Sequence, residues 1–454
     1  MSSASDSERL RRMALDHLWM HNADWVQMNR DGEPLIIVEG NGVRVTDADG
    51  NSWIDVNGGY ASVSAGYGRQ DLARAAYEQM QRITFFPMRT ANPPTIHLAA
   101  KLAEIMPGSL SRVFPVSGGS EANEAALKIA RAYHRRRGDH GRYKVVSRRG
   151  SYHGATGGVM FLGSAYGATR ADYEPEPPGM VYAPQPNAYR CELGSQSVSE
   201  CAVRSAEAID ELIRFHGAET VAAVIAEPVA SGPGAVVPGD EYWPLLRDIC
   251  DRHGVLLIAD EVINGFGRTG KMFALEHWNV VPDIMTIGKG MSSSYLPLGA
   301  AVARQEVADA FAGKLLQHVH THAGHPVAAA VGLKNIEIIE KERLVENSAN
   351  VGAYFKEKLH ELQSKHEIVG DVRGLGLMLS LELVADRRTK APFDPELQLV
   401  DQLNVQFKQR GLILRAHSNI IINMSPPLCI TRDEVDEIVE KIDESFSAVE
   451  SESA

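Results

Sequence analysis

The apolar positions follow two rhythms along the chain, and the change between them marks out the fold. From Leu35 to Val56 the segments Leu-Ile-Ile-Val-Glu, Gly-Val-Arg-Val and Ser-Trp-Ile-Asp-Val have strand chemistry, separated by the turn dipeptides Asn41-Gly42 and Asp49-Gly50. They predict an antiparallel meander. Ahead of them, Asp16 to Trp25 reads as a short helical arm carrying Trp19 and Trp25. Farther on, helical spacing alternates with short unbroken apolar runs. Ala122, Ala125, Ala126, Ile129, Ala130 and Tyr133 recur at the spacing of one helix face. Val221–Ala226 and Val255–Ala259 are apolar throughout, and helix-like stretches around Glu207–Phe215 and Tyr242–His253 precede them. Continuous apolarity predicts parallel strands covered on both faces. Tyr173 to Gln196, rich in Pro and Gly, reads as a long irregular loop. Beyond Pro326 a helix from Val327 to about Ile339 leads into a second alternating region, where Gly370–Glu382 reads as a glycine-kinked strand pair. Glu434–Val449 predicts a closing amphipathic helix, and Glu450 to Ala454 a frayed end.

Composition narrows what such a chain can do. At 454 residues it exceeds what one compact core usually supports, so two domains are expected. Apolar residues at 44% and charged residues at 23% give an ordinary soluble balance. A formal charge of −12 without a basic stripe argues against nucleic-acid binding. The chain has no run of eighteen apolar residues to span a membrane, and its polar start lacks the apolar core of a secretory signal. Cys191, Cys201, Cys250 and Cys429 form no short metal-binding spacing and are too few for a disulfide scaffold. A reduced, cytoplasmic enzyme is the expectation.

Its chemistry is carried by a few local patterns. Lys289 stands between glycines in Ile287-Gly288-Lys289-Gly290-Met291, just after the apolar run Asp283–Thr286. A lone Gly-Lys-Gly is usually a solvated loop. At the end of a buried strand, though, desolvation lowers an amine's pKa, and the neutral amine attacks carbonyls. Ser117-Gly118-Gly119-Ser120-Glu121 opens the alanine-rich helix. Small residues and free N–H groups there suit a phosphate, while Ser120 sits where a plain N-cap would. Asp260-Glu261 ends the strand Val255–Ala259, where carboxylates project into the ligand crevice of an open α/β sheet. A protonated pyridine nitrogen would give such a carboxylate its partner. Tyr152-His153-Gly154 offers an aromatic face for a flat ring.

Two other matches lead nowhere. Gly265-Phe-Gly267-Arg-Thr-Gly270 fits a dinucleotide fingerprint, but the acidic pair before it would repel a pyrophosphate. His318, His320, His322 and His325 lack interleaved cysteines or carboxylates, so no metal site is read there.

Taken together, these motifs resemble the class III aminotransferases, pyridoxal-phosphate enzymes of fold type I. The resemblance runs in order from about Ala14 to the closing helix. It takes in Ser117–Glu121, Tyr152-His153-Gly154, Ala226-Glu227-Pro228, Asp260-Glu261-Val262, Gly265–Gly270 and Lys289 with Tyr295–Gly299. Thr321 with Gly324-His325-Pro326, Arg415 and Ser425–Leu428 complete it. It implies a large domain with a mostly parallel sheet over residues 66–326. A smaller α+β domain would be assembled from both chain ends, residues 1–65 and 327–454. Lys289 would hold pyridoxal 5'-phosphate as an imine and then shuttle a proton, and Asp260 would pair with the ring nitrogen. Gly119 and Ser120 would bind the phosphate, joined by Thr321 from a partner subunit, which makes a homodimer or a dimer of dimers the expected assembly. Tyr152 and Val262 would sandwich the ring beside His153, and Glu227 would orient the carboxylate network.

Departures from the pattern point to the substrate. Ornithine- and 4-aminobutyrate-type members carry Gln-Gly-Glu-Gly after Glu-Pro, where a glutamate gates an arginine; here Val229-Ala-Ser-Gly-Pro-Gly234 follows Pro228. Those members also tend to have Gln where this chain has Ile263. The chain is more similar to the ω-amine and β-alanine:pyruvate subgroup, in which an arginine near the C-terminus, here Arg415, swings in for carboxylates. Tyr60, Phe85 and Phe86 would supply aromatic walls. The resemblance implies transfer of an amino group from a small amine to a 2-oxo acid such as pyruvate. A decarboxylase or aminomutase of the same family is the rival reading, and a non-enzymatic binding module fits the intact Lys289, Asp260 and Arg415 poorly.

Overall fold

A computed structural model describes residues 3–163, 171–417 and 420–452. Its centre is a seven-stranded sheet in the order Leu110–Val116, Gly299–Arg304, Ile284–Ile287, Leu256–Asp260, Val221–Ala226, Lys144–Arg148 and Met180–Ala183. Gly299–Arg304 runs antiparallel to both its neighbours, and the other six strands point one way.

The unbroken apolar runs are explained by cover on both faces. Ala223 and Ile225 face the helix Gly119–Arg137, packing with Ala122, Ala125, Ala126 and Ile129. Their neighbour Val224 faces the other way, toward Ile209, Ile213, Leu246 and Ile249 of the helices Val198–His216 and Tyr242–His253. Successive strand side chains point to opposite faces, so a strand covered twice has no polar side to display.

The two ends of the chain meet in a smaller sheet. Ile37–Asn41, Arg44–Asp47 and Ser52–Asp55 form the expected meander, and Leu412–Ile413 pairs in parallel with its last strand. Val369–Leu375, Met378–Leu383 and Ile421–Met424 form a third, antiparallel sheet. These are the mixed sheets of fold type I. No helix among the described residues is long and apolar enough to cross a membrane.

Some expectations are corrected. The arm read as helical over Asp16–Trp25 is mostly the non-helical connection between two helices, Ser3–His17 and Trp25–Arg30, and in it Trp19 meets Trp25 edge to face. The loop expected over Tyr173–Gln196 contains the strand Met180–Ala183. It lies at the sheet edge, where flanking prolines cost no ladder hydrogen bond. The closing helix extends over Arg432–Glu452, so the residues read as frayed are helical as far as they are described.

Candidate active site

Five segments of the large sheet deliver side chains to the carboxyl ends of its same-direction strands. Leu110–Val116 leads through Ser117-Gly118 into the helix Gly119–Arg137. Lys144–Arg148 leads to Tyr152-His153, Val221–Ala226 to Glu227, Leu256–Asp260 ends on Asp260, and Ile284–Ile287 precedes Lys289. Open α/β sheets bind ligands at this edge.

Asp260 is buried and held from three directions. Its Oδ2 accepts from His153 Nδ1 at 2.8 Å and from Asn123 Nδ2 at 2.8 Å, while Oδ1 accepts the Val262 N–H at 3.1 Å. A carboxylate only accepts, so His153 carries its proton on Nδ1. His153 Nε2 is buried with no hydrogen-bond partner among the described residues.

Lys289 is half-buried with φ of 40°, in the left-handed region. Burial pushes its amine down to about 8, against the opposing pull of Asp260 and Glu227 and with a further push from Arg268. One amine thus feels both site carboxylates. Glu227 is itself buried and fixed by Ser231 N at 2.9 Å, Ser231 Oγ at 2.8 Å and Tyr152 N at 3.2 Å.

The glycines close the wall between these groups. A Cβ on Gly119 would lie 2.6 Å from Val262 Cγ1, and one on Gly288 would lie 3.4 Å from Gly119 N. Beside Gly118 a Cβ would meet open space. The N-cap reading of Ser120 is overturned: the cap is Gly118, which has no side chain to satisfy the helix N–H groups. Ser120 lies inside the first turn, and its Oγ accepts the Ala155 N–H at 3.1 Å. The helix N-terminus is therefore uncapped and borders an open space, as an anion site requires.

Not every expected residue joins this cluster. Glu261 turns away; its buried carboxyl accepts Ala274 N at 3.0 Å and Leu275 N at 2.9 Å, and burial raises its pKa to about 8. Arg268 of the glycine-rich stretch is buried, donating to Leu377 O at 3.1 Å and Pro426 O at 2.5 Å. The G-x-G-x-x-G match is thus a turn tied to the third sheet and opens no helix.

Thr321 is exposed, with no hydrogen bond to the cluster among the described residues. The histidines around it pack as a loop. His318 stacks on Phe114 with ring centroids 5.0 Å apart, and Phe85 lies 5.8 Å from His322 and 5.7 Å from His325. Phe86 is exposed and Tyr152 partly so.

Tyr60 projects from an unusual turn, in which Gly58, Gly59, Tyr60 and Ala61 have φ of 53°, 56°, 60° and 60°. Left-handed geometry costs a non-glycine residue about 1–2 kcal/mol. Buried Asp55 opposes that strain, accepting Asn57 N at 3.0 Å, Gly59 N at 2.7 Å and Tyr67 Oη at 2.6 Å. Arg415 is exposed, and among the described residues no carboxylate lies within ion-pair distance of it.

Two site residues carry no catalytic motif, Asn123 and Thr286. Asn123 Nδ2 also donates to His153 O at 2.7 Å, and its Oδ1 accepts from Thr286 Oγ1 at 2.7 Å. The available signal was polarity out of place. Asn123 interrupts an alanine face, and Thr286 is the lone polar residue of Ile284–Ile287.

Comparison with known proteins gives the family. Residues 26–446 match the family described as aminotransferase class-III, and the chain belongs to that family. It is 41% identical to the uncharacterized aminotransferase YhxA of Bacillus subtilis (strain 168), over 92% of this chain and 93% of that one. It is 37% identical to the putrescine–pyruvate aminotransferase of Pseudomonas aeruginosa, over 94% and 93%. The crystal structure of a thermostable (S)-enantioselective omega-transaminase from Thermomicrobium roseum matches it with a TM-score of 0.94 and 41% identity, covering 97% of this chain and 98% of that one. The protein is a class III aminotransferase, and membership implies pyridoxal 5'-phosphate as its cofactor.

Proposed function

We infer that this aminotransferase moves the nitrogen of a small amine, or of an ω- or β-amino acid, to a small 2-oxo acid such as pyruvate. The residues present fit the implied cofactor: an uncapped helix N-terminus for its phosphate, a desolvated amine for its carbonyl and a fixed carboxylate for its ring nitrogen. When bound, pyridoxal phosphate supplies an electron sink for bond breaking at the amine carbon. Lys289 Nζ would bind it and afterwards carry the proton, and Asp260 would hold the ring nitrogen's proton. Gly119 and Ser120 would bind phosphate, Tyr152 and Val262 would flank the ring, and Glu227 and His153 would fix the surrounding polar groups. Thr321, exposed in one chain, would complete the phosphate site of a second copy, which makes a homodimer the active unit.

Arg415 carries the choice of substrate. One pocket has to accept a carboxylate in one half-reaction and an uncharged tail in the other. An exposed guanidinium with no acidic partner among the described residues can swing in to bind a carboxylate bidentately and swing out again. The segment Val229–Gly234 has no acidic side chain to gate it. Tyr60, Phe85 and Phe86 would form the apolar walls. Arg415→Ala is expected to lower kcat/KM for pyruvate about 100-fold, the loss of a charge-assisted pair. The half-reaction with a neutral-tailed amine should change little, and equal slowing of both would make Arg415 structural.

Cofactor uptake should depend on pH through Lys289. Its folded pKa lies below the ordinary lysine value, so the neutral amine gains population as pH rises through about 8. The rate of covalent pyridoxal phosphate uptake by apoprotein, followed by absorbance, should climb through that pH and level off above it. A rate still climbing at pH 10 would contradict the desolvated amine.

A panel of amines, diamines and β-amino acids, each with pyruvate and with 2-oxoglutarate, tests the whole reading. Alanine should form from pyruvate. Release of carbon dioxide, or migration of the amino group within the donor without transfer to the keto acid, would instead mark a decarboxylase or an aminomutase.

A further inference from the structure

We propose that Asn123, locked by Thr286, is the positioning residue that holds Asp260 in register with the cofactor ring; this rests on Asp260 facing the ring nitrogen. Asn123 is 1% exposed and Thr286 fully buried, so each polar atom must find its partner within the protein. The amide's orientation follows from its neighbours. Asp260 Oδ2 and His153 O can only accept, so the NH2 faces both, at 2.8 and 2.7 Å. The amide oxygen then faces Thr286 Oγ1, which donates to it at 2.7 Å.

Three elements meet in this arrangement. Asn123 lies on the helix Gly119–Arg137, while Asp260 and Thr286 are paired across neighbouring parallel strands. The helix that offers its N-terminus to a phosphate also grips the carboxylate meant for the ring. The same NH2 binds the backbone oxygen of His153, whose ring supplies the second hydrogen bond to Asp260 Oδ2. With Oδ2 taken twice, the carboxylate cannot rotate freely about its last bond. Among the described residues Oδ1 accepts only Val262 N, at 3.1 Å, and keeps capacity for an incoming N–H. Thr286 prevents the amide from flipping, which would set Oδ1 of Asn123 against the carboxylate.

A double-mutant cycle separates positioning from mere packing. Asn123→Ala is expected to raise the dissociation constant of pyridoxal phosphate for the apoprotein about tenfold, the loss of a hydrogen bond to a charged group. It should also shift the pH midpoint of the bound cofactor's absorbance. In an Asp260→Asn background the same substitution should change affinity by less than about twofold, because the amide oxygen that still accepts from Asn123 carries no charge to hold against the ring nitrogen. Thr286→Val, nearly isosteric, should weaken binding in the same direction with a smaller effect and serves if Asn123→Ala does not fold. Equal effects of these substitutions in both backgrounds, or an unmoved pH midpoint, would overturn the proposal. If Asp260→Asn alone binds cofactor and turns over like the parent enzyme, the assignment of Asp260 fails instead, a result distinguishable from the first.

Discussion

Replacing Lys289 by alanine should reduce transamination by at least about 10⁴-fold, because in the proposed function one amine would both bind the cofactor and move the proton. The expectation rests on placement. Lys289 follows the strand Ile284–Ile287, has a burial-lowered pKa of about 8, and feels Asp260 and Glu227 together. Methyl replacement leaves the uncapped helix N-terminus and the Asp260 network intact. Noncovalent cofactor should therefore still bind while turnover is lost, a pattern that separates lost chemistry from lost folding. Substantial steady-state transamination by the variant, measured as alanine formed from pyruvate, would remove Lys289 from the mechanism.

Asp260→Asn should lower kcat about 10³-fold, since the charge that would face the cofactor ring in the proposed function is exchanged for a dipole. The hydrogen bonds determine which way the new amide points. Its oxygen has to take the Asn123 and His153 donors on the Oδ2 side. Its NH2 then replaces Oδ1, facing the Val262 N–H and the ring nitrogen, two donors against another donor. A bound pyridine nitrogen would then no longer be held protonated, and the electron sink it supplies would weaken. Bound-cofactor absorbance against pH and single-turnover rates would report this; a variant within a few-fold of the parent on both would place the catalytic charge elsewhere.

Local patterns in the sequence reach some of these residues and miss others. Lys289 and Asp260 could be read because each follows an apolar run of strand length, so a charge at its end signals the edge of a buried sheet, whereas Glu227 came from the family resemblance. Asn123 and Thr286 could not, because their meaning lies in a contact across 163 positions, and a buried Asn on an alanine-rich helix looks like a flaw in the pattern. For Ser120 the sequence leaves a cap open beside the phosphate role, because a hydroxyl near a helix start usually serves as one. Here Gly118 takes the cap and frees the hydroxyl for Ala155.

Elements were legible where their ends are signalled. The helix Leu344–Lys365 buries Leu344, Val351, Phe355, Leu359 and Leu362 at helical spacing. It starts from a left-handed Arg343 with no capping side chain, so nothing announces it. The left-handed turn that presents Tyr60 has two glycines to suggest it, but its clamp, Asp55 with Tyr67, becomes visible only in three dimensions. Arg415 and Thr321 came from family order alone. Their exposed positions in a single chain fit groups that act by moving or across a subunit boundary.

The central claim, that Lys289 is where this aminotransferase holds its cofactor, is tested most directly by borohydride reduction of the purified holoenzyme followed by peptide mass spectrometry. Reduction fixes a lysine-linked pyridoxyl group in place. The account predicts that group on the peptide containing Gly288-Lys289-Gly290, with loss of activity in proportion to labelling. Stoichiometric label on any other lysine, with Lys289 unmodified, would contradict it.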